Sequence, residues 1–203
     1  MSPKVLRRYI IVAAIATFAM FSIWTLMAVF VNEAPGDYYT REGDIRLSDD
    51  KYDEAITSFN AALREAPDHR GALMGRALVY IRTSKSAEAI AELTYLIAYL
   101  ERTLEEDDST GWAVLASAYA NRGIVHDRRG KYEKALADYI KALKTDAGAL
   151  SGPSLFDKIL YGTSQPSTVR KRAIYLDQQF ALPPGKRVLR VPEVDAKQRM
   201  YKP

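Results

Sequence analysis

Few residues in this chain of 203 have the types and spacing that an active centre needs. There is no cysteine, which excludes disulfides, thiolate catalysis and cysteine-ligated zinc or iron–sulfur sites. Neither histidine, His69 or His126, is followed four residues on by a histidine or aspartate that would pair metal ligands on one helix face. His69 falls in a turn, and His126 reads as a packing residue on a helix. No glycine-rich phosphate loop and no G-x-S-x-G nucleophile elbow occurs. The run Glu105-Glu106-Asp107-Asp108 lacks the spaced ligands and the glycine of a calcium loop and reads as a solvated turn. The expectation is a protein without catalytic residues, without a cofactor and without a metal: not an enzyme, and with no small-molecule substrate.

The basic residues also fail to make a nucleic-acid surface. Three of the 29 lysines and arginines precede residue 9. Residues 32–164 hold 17 Lys+Arg against 22 Asp+Glu, a net −5, and residues 165–203 hold 9 against 3, a net +6. The middle of the chain is thus acidic and only the tail is basic. Arg170, Lys171, Arg172, Lys186 and Arg187 suit anionic lipid, an acidic partner, the acidic middle of this same chain, or water. Of these, an acidic protein surface or the chain's own middle is favoured. Aromatics are not interleaved with them in a way that would stack bases.

What positions these residues is a chain of helices behind an apolar span. Tyr9 to Val31 is 23 residues without a charge, glycine or proline. As a helix it reaches roughly 34 Å, enough to cross a bilayer core. A signal-peptide core is shorter, and Asn32-Glu33-Ala34-Pro35 makes a poor cleavage site. A buried core helix seldom runs so long without a charge. Lys4, Arg7 and Arg8 precede the span, whereas Glu33 and Asp37 follow it before the first base, Arg41. Positive flanks stay in the cytoplasm, so residues 1–8 are expected there and everything after the span on the far side. In a bacterial cell that side is the periplasm, with the span in the inner membrane. Ala13, Ala14, Ala16 and Ala19 would let another helix approach, and Phe21, Trp24 and Phe30 would anchor at lipid or at a partner.

Beyond the span the sequence repeats. In residues 36–69, Tyr39 and Gly43 lie four apart on one predicted helix. Tyr52, Ala55, Phe59 and Ala62 follow on a second helix, with Asp49-Asp50-Lys51 between them and Pro67 closing the unit. Gly43 and Ala55 remove side chains where helices cross. Ala89 follows Ala55 by 34 residues and opens a second copy, 70–103, with Ala77 in the place of Gly43. Its apolar run Ala91 to Leu100 predicts a longer second helix. A third copy, 116–148, carries Tyr119, Gly123, Gly130, Tyr132, Ala135, Tyr139 and Ala142. Ala135 follows Ala89 by 46 residues, so 12 extra residues sit near 104–115. There Ser109-Thr110 is expected to cap a helix that Trp112 and Leu115 lengthen.

This pattern resembles the tetratricopeptide repeat (TPR), a helix–turn–helix unit of about 34 residues. The resemblance implies an all-α fold: a transmembrane helix, a short helical solenoid of about three units, and C-terminal capping helices over 149–182. The predicted cap helices are Ser154–Tyr161 and Ser167–Phe180. An extended basic tail over 183–203 follows, either free or docked on a partner or on the chain's own repeats. The resemblance also implies a concave protein-binding groove, lined here by Asp37, Thr40, Asp44 and Leu47, by Gly71, Met74, Leu78 and Ile81, and by Ser117, Ala120, Ile124 and Asp127. Some family members clamp acidic C-terminal peptides with Lys, Asn and Arg in this groove. Asp44, Met74 and Ala120 do not supply that set. The strip is apolar in its middle and acidic at its rims, so it either takes an apolar segment flanked by bases or is covered by the chain's own C-terminal helices. The functional expectation is a membrane-anchored scaffold that assembles or stabilises a membrane complex, such as a respiratory, photosynthetic or translocon assembly. The alternative is a transient periplasmic chaperone or accessory holding precursors such as apo-cytochromes.

Overall fold

A computed structural model describes residues 3–31, 33–146, 169–192 and 198. The expected helix Ser154–Tyr161 and most of the tail beyond residue 192 lie outside the described residues. Eight α-helices are described: α1 (Pro3–Val31), α2 (Asp37–Ser48), α3 (Tyr52–Glu65), α4 (Arg70–Arg82), α5 (Ser86–Thr103), α6 (Ser109–Arg128), α7 (Tyr132–Thr145) and α8 (Val169–Phe180). No strand occurs among the described residues.

Helix α1 runs through the basic residues Lys4, Arg7 and Arg8 into the apolar run. From Pro3 to Thr25 it is long and apolar enough to cross a membrane, and none of that stretch is buried. Phe21 and Trp24 are both exposed, with ring centroids 5.8 Å apart. The side chain of Phe30 is outside the described set.

The six helices from α2 to α7 form three antiparallel pairs, and the reasons are local. Asp50 takes a left-handed φ of 59° in the turn between α2 and α3, and Gly130 takes 70° between α6 and α7. Ala66 is extended because the following Pro67 disfavours helical backbone, and α3 ends there. At the first crossing Phe59 is fully buried, its ring pressed on Gly43 of α2 and on Gly75 of α4. A Cβ on Gly43 would stand 2.6 Å from Cε1 of that ring. Tyr139 repeats the arrangement in the third pair, 2.7 Å from where a Cβ on Gly123 would be. One aromatic ring thus closes each of these crossings, and only glycine admits it. Burying such a ring stabilises by about 1.5–3 kcal/mol.

The extra residues between the second and third pairs lengthen helices more than they lengthen the loop. Helix α5 has 18 residues where α3 has 14, and α6 has 20 where α2 has 12. Leu93, Leu96, Ile97 and Leu100 of α5 are all buried. The cap of α6 differs from the expectation by one residue. Asp108, not Ser109, is the N-cap, and its carboxylate accepts the Gly111 N–H at 2.7 Å. A carboxylate there also meets Arg70 of α4, which a serine would not.

Helix α8 packs against α7, burying Val169, Arg172, Ala173 and Leu176. A short 3-10 turn, Pro184–Lys186, follows; Arg187 is extended, and residues 187–191 form neither helix nor strand.

Candidate protein-binding groove

The expected groove positions all fall on α2, α4 and α6, the first helices of the three pairs, with Asp37 at the start of α2. Most are closed to solvent. Met74 is 1% exposed, Leu78 and Ile81 6%, Ala120 0% and Ile124 2%. Thr40 is buried, and Asp44, Leu47 and Gly71 are half-buried. Ser117 is buried, and Asn121 of α6 donates to the Met74 sulfur at 3.4 Å. The apolar middle of the strip therefore lies in the same core as Val169, Ala173 and Leu176 of α8.

The end of the strip belongs to Asp127, and the C-terminal segment claims it. Arg172 of α8 donates to both carboxylate oxygens, Nε to Oδ2 and Nη2 to Oδ1, at 2.7 Å each. Gln198 donates Nε2 to Oδ2 at 2.7 Å, and the Tyr139 hydroxyl donates to the same oxygen at 3.1 Å. Both partners of the ion pair are 1% exposed at the side chain. Burial and the adjoining Asp127 carboxylate push the Tyr139 hydroxyl far up its range, so it stays a donor. Arg172 also donates to the Leu189 carbonyl at 2.9 Å, and the Tyr175 hydroxyl to the Val188 carbonyl at 2.7 Å. The Gln179 side chain accepts the Val188 N–H at 2.8 Å. These bonds lay residues 187–190 along α8 as a strap.

The other tail bases divide. Arg187 donates to the Leu182 and Phe180 carbonyls and lies over the Phe180 ring, which ends α8. Arg170, Lys171 and Lys186 are exposed.

Three features of this surface were not anticipated. The first is a repeated tie between neighbouring pairs. Arg76 of α4 grips Glu92 of α5 and also donates to Asn60 of α3 at 2.7 Å. Arg122 of α6 grips Asp138 of α7 and donates to Thr94 of α5 at 3.1 Å. Both arginines precede their acid by 16 residues, a signal legible once the units are superposed. Desolvation raises the Glu92 pKa, and Arg76 opposes that rise. The second feature is His69. Its Nδ1 accepts the Ala72 N–H as the N-cap of α4, and Nε2 meets Asp37 of α2 at 2.8 Å. The third is His126, half-buried on α6 with Nδ1 lacking a partner among the described residues. Burial lowers its pKa, more than Asp138 raises it.

No group of three or more His, Asp and Glu side chains is placed to hold a metal ion among the described residues.

Comparison with known proteins agrees with this geometry. Two tetratricopeptide-repeat family models match, one over residues 40–98 and one over 116–147. No curated protein matches by sequence. Among solved structures, the first TPR of Spaghetti (RPAP3) bound to the HSP90 peptide SRMEEVD is similar, at 20% identity and a TM-score of 0.51. The match covers 73% of this chain and 94% of that one. The Sgt2 TPR domain from Aspergillus fumigatus is similar at 17% identity and a TM-score of 0.50, covering 77% of this chain and 89% of that one. At such identities the likeness is one of fold. With Gly43, Ala55 and Phe59 recurring as Gly123, Ala135 and Tyr139 in helix pairs that pack alike, residues 40–98 and 116–147 of this chain are tetratricopeptide repeats.

Proposed function

We propose that this protein is a membrane-anchored interaction scaffold that helps hold a membrane protein complex together. The observation that carries the reading is the join between α1 and α2. A helix of apolar length sufficient for a bilayer, with its first 23 residues unburied, ends only a few residues before a repeat domain whose family fold serves protein binding. A short link confines the domain to the membrane surface and raises its effective concentration near membrane partners. The flanking charges favour a cytoplasmic N-terminus with the repeats on the opposite side. The peptide-bound relative supports protein partners in general, although this chain lacks the basic clamp in its groove.

Closure of the groove separates the two forms of this reading. A chaperone that cradles extended clients needs an open strip, whereas Met74, Leu78, Ile81 and Ile124 are buried in the chain's own core. That favours a permanent subunit, contacting neighbours through α1, the outer helix faces and the C-terminal cap. The tagged protein, extracted in mild detergent beside a version lacking residues 1–31, tests it. One membrane complex at near-equal amounts, lost without the span, is the expected result. A crowd of weakly held clients with both versions would point to the chaperone, and robust turnover by the purified protein would overturn the scaffold reading.

A further inference from the structure

The two edges of the repeat stack carry different electrostatics. At one edge the N-termini of α2, α4 and α6 gather around a cleft of ≈ 410 Å³ lined by Ala34, Asp37, His69, Arg70 and Asp108, among others. Its bases are matched: His69 meets Asp37 at 2.8 Å, and Arg70 meets Asp108 at 2.5 Å. At the opposite edge a cleft of ≈ 390 Å³ is lined by Asp127, Arg128, Arg129, Gly130, Tyr132 and Arg190. Its single acid among the described residues, Asp127, is 4% exposed and already neutralised by Arg172. None of Arg128, Arg129 and Arg190 forms an ion pair with a described residue, and all three are exposed. Arg128 reaches the Gln198 carbonyl at 3.4 Å, which consumes no charge.

Two separate stretches of chain build this cleft. Arg128 and Arg129 end α6 beside the left-handed Gly130, and Arg190 arrives on the strap that Tyr175, Arg172 and Gln179 hold by bonds to its backbone. Three exposed guanidiniums around one cavity create a positive potential there that attracts anions. A guanidinium fork fits a carboxylate with two parallel hydrogen bonds.

We propose that this cleft binds an acidic segment of a partner protein through paired Asp or Glu carboxylates. The site meets the groove positions only at Asp127, which Arg172 already occupies, and depends on the docked C-terminal strap. Anionic lipid head groups share the chemistry, but the anchor argues against them. Ala34, just after α1, lines the other cleft, and the 20-residue α6 places the arginine edge roughly 30 Å away. Only this preference for peptide over lipid rests on the anchored-scaffold reading.

The test uses the full chain in phosphatidylcholine nanodiscs and a fluorescent peptide of alternating Asp and Glu, read by anisotropy at low salt. Arg129→Ala/Arg190→Ala is compared with Arg64→Ala/Arg102→Ala, which removes the same charge from exposed positions elsewhere. Circular dichroism and melting verify that both variants fold. The expected result is saturable binding by the native chain, at least about tenfold weaker in the first variant and unchanged in the second. Equal binding by native chain and cleft variant, equal weakening in both variants, or no binding would overturn the proposal. So would a chain that ignores the peptide but floats with phosphatidylglycerol vesicles, or whose cleft arginines answer only to inorganic phosphate. None of these outcomes bears on whether the span recruits a complex, which the co-purification decides separately.

Discussion

Replacing Arg172 with methionine should do more damage than any other single change in the C-terminal third. The structure sets the scale. Arg172 and Asp127 are 1% exposed at the side chain and share two hydrogen bonds of 2.7 Å. Without the guanidinium, the Asp127 carboxylate keeps only Gln198 Nε2 and the Tyr139 hydroxyl as donors, inside a nearly dry site. Removing one partner of such a pair costs about 3–5 kcal/mol, because the remaining charge is left uncompensated. The Leu189 carbonyl loses its donor in the same step, so the strap should loosen with α8. Urea unfolding of the full chain in detergent, followed by circular dichroism, measures the loss. Hydrogen exchange locates it: protection should fall across 169–192 while α2 to α5 keep theirs. The double variant Arg172→Met/Asp127→Leu should recover most of the loss, since no charge is then stranded. A loss below about 1 kcal/mol in the single variant, with exchange over 169–192 unchanged, would refute the reasoning. It would mean that the pair behaves like a solvated surface contact.

Two further changes probe the repeats themselves. Gly43→Ala gains up to about 1 kcal/mol of helix propensity but drives a Cβ to 2.6 Å from a Phe59 ring that Gly75 blocks from behind. The clash should outweigh the gain, and urea unfolding should show net destabilisation within the range of about 1–3 kcal/mol typical of overpacking. Gly185→Ala, with open space around it, should change nothing, and a Gly43→Ala variant as stable as the native chain would sink the close-crossing argument. The second probe is pH. Burial depresses the folded-state pKa of His126 below its unfolded value, with Arg122, Lys134 and Arg129 adding to the depression and Asp138 opposing it. The unfolded chain then takes up the proton first, so the stability from neutral His126 is present above about pH 6.5 and lost as pH falls through the folded pKa. His126→Gln should flatten the fall in melting temperature between about pH 7 and 5, and an unchanged slope would show that His126 is not the titrating group.

The repeat units were readable because their constraints are short-range and recur. A ring that must meet a glycine across one helix crossing fixes residue types at fixed offsets, and Gly43 with Phe59 reappears as Gly123 with Tyr139. The long α5 was also legible, since Leu93, Leu96, Ile97 and Leu100 made an apolar stripe too long for the unit. The cap of α6 was misread by one residue because serine and aspartate both cap well. The choice went to the carboxylate that also reaches Arg70, a contact 38 residues distant. The Arg172–Asp127 pair, separated by 45 residues, left no periodic trace, and Arg172 looked like one of several surface bases in a charged run.

Comparing the two ends of the stack explains where such non-repeating contacts belong. Arg76 and Arg122 each tie a pair to the one before it, through Asn60 and Thr94. The first pair has no predecessor, and the matching positions hold Glu42 and Ser58 in place of the arginine and its acid. A repeat stack needs such departures at its ends, because an interior unit placed there would expose the apolar face it normally buries. At the N-terminal end, Tyr38 and Ile45 of α2 are left 59% and 61% exposed, on the helix nearest the apolar α1. At the C-terminal end, α8 and its strap cover the last pair and occupy Asp127. The stack is thus finished by its own chain at the end far in sequence from α1 and left open at the end next to it. Under the scaffold reading proposed above, a partner seated in or on the membrane would cover Tyr38 and Ile45 and so complete the stack at its open end.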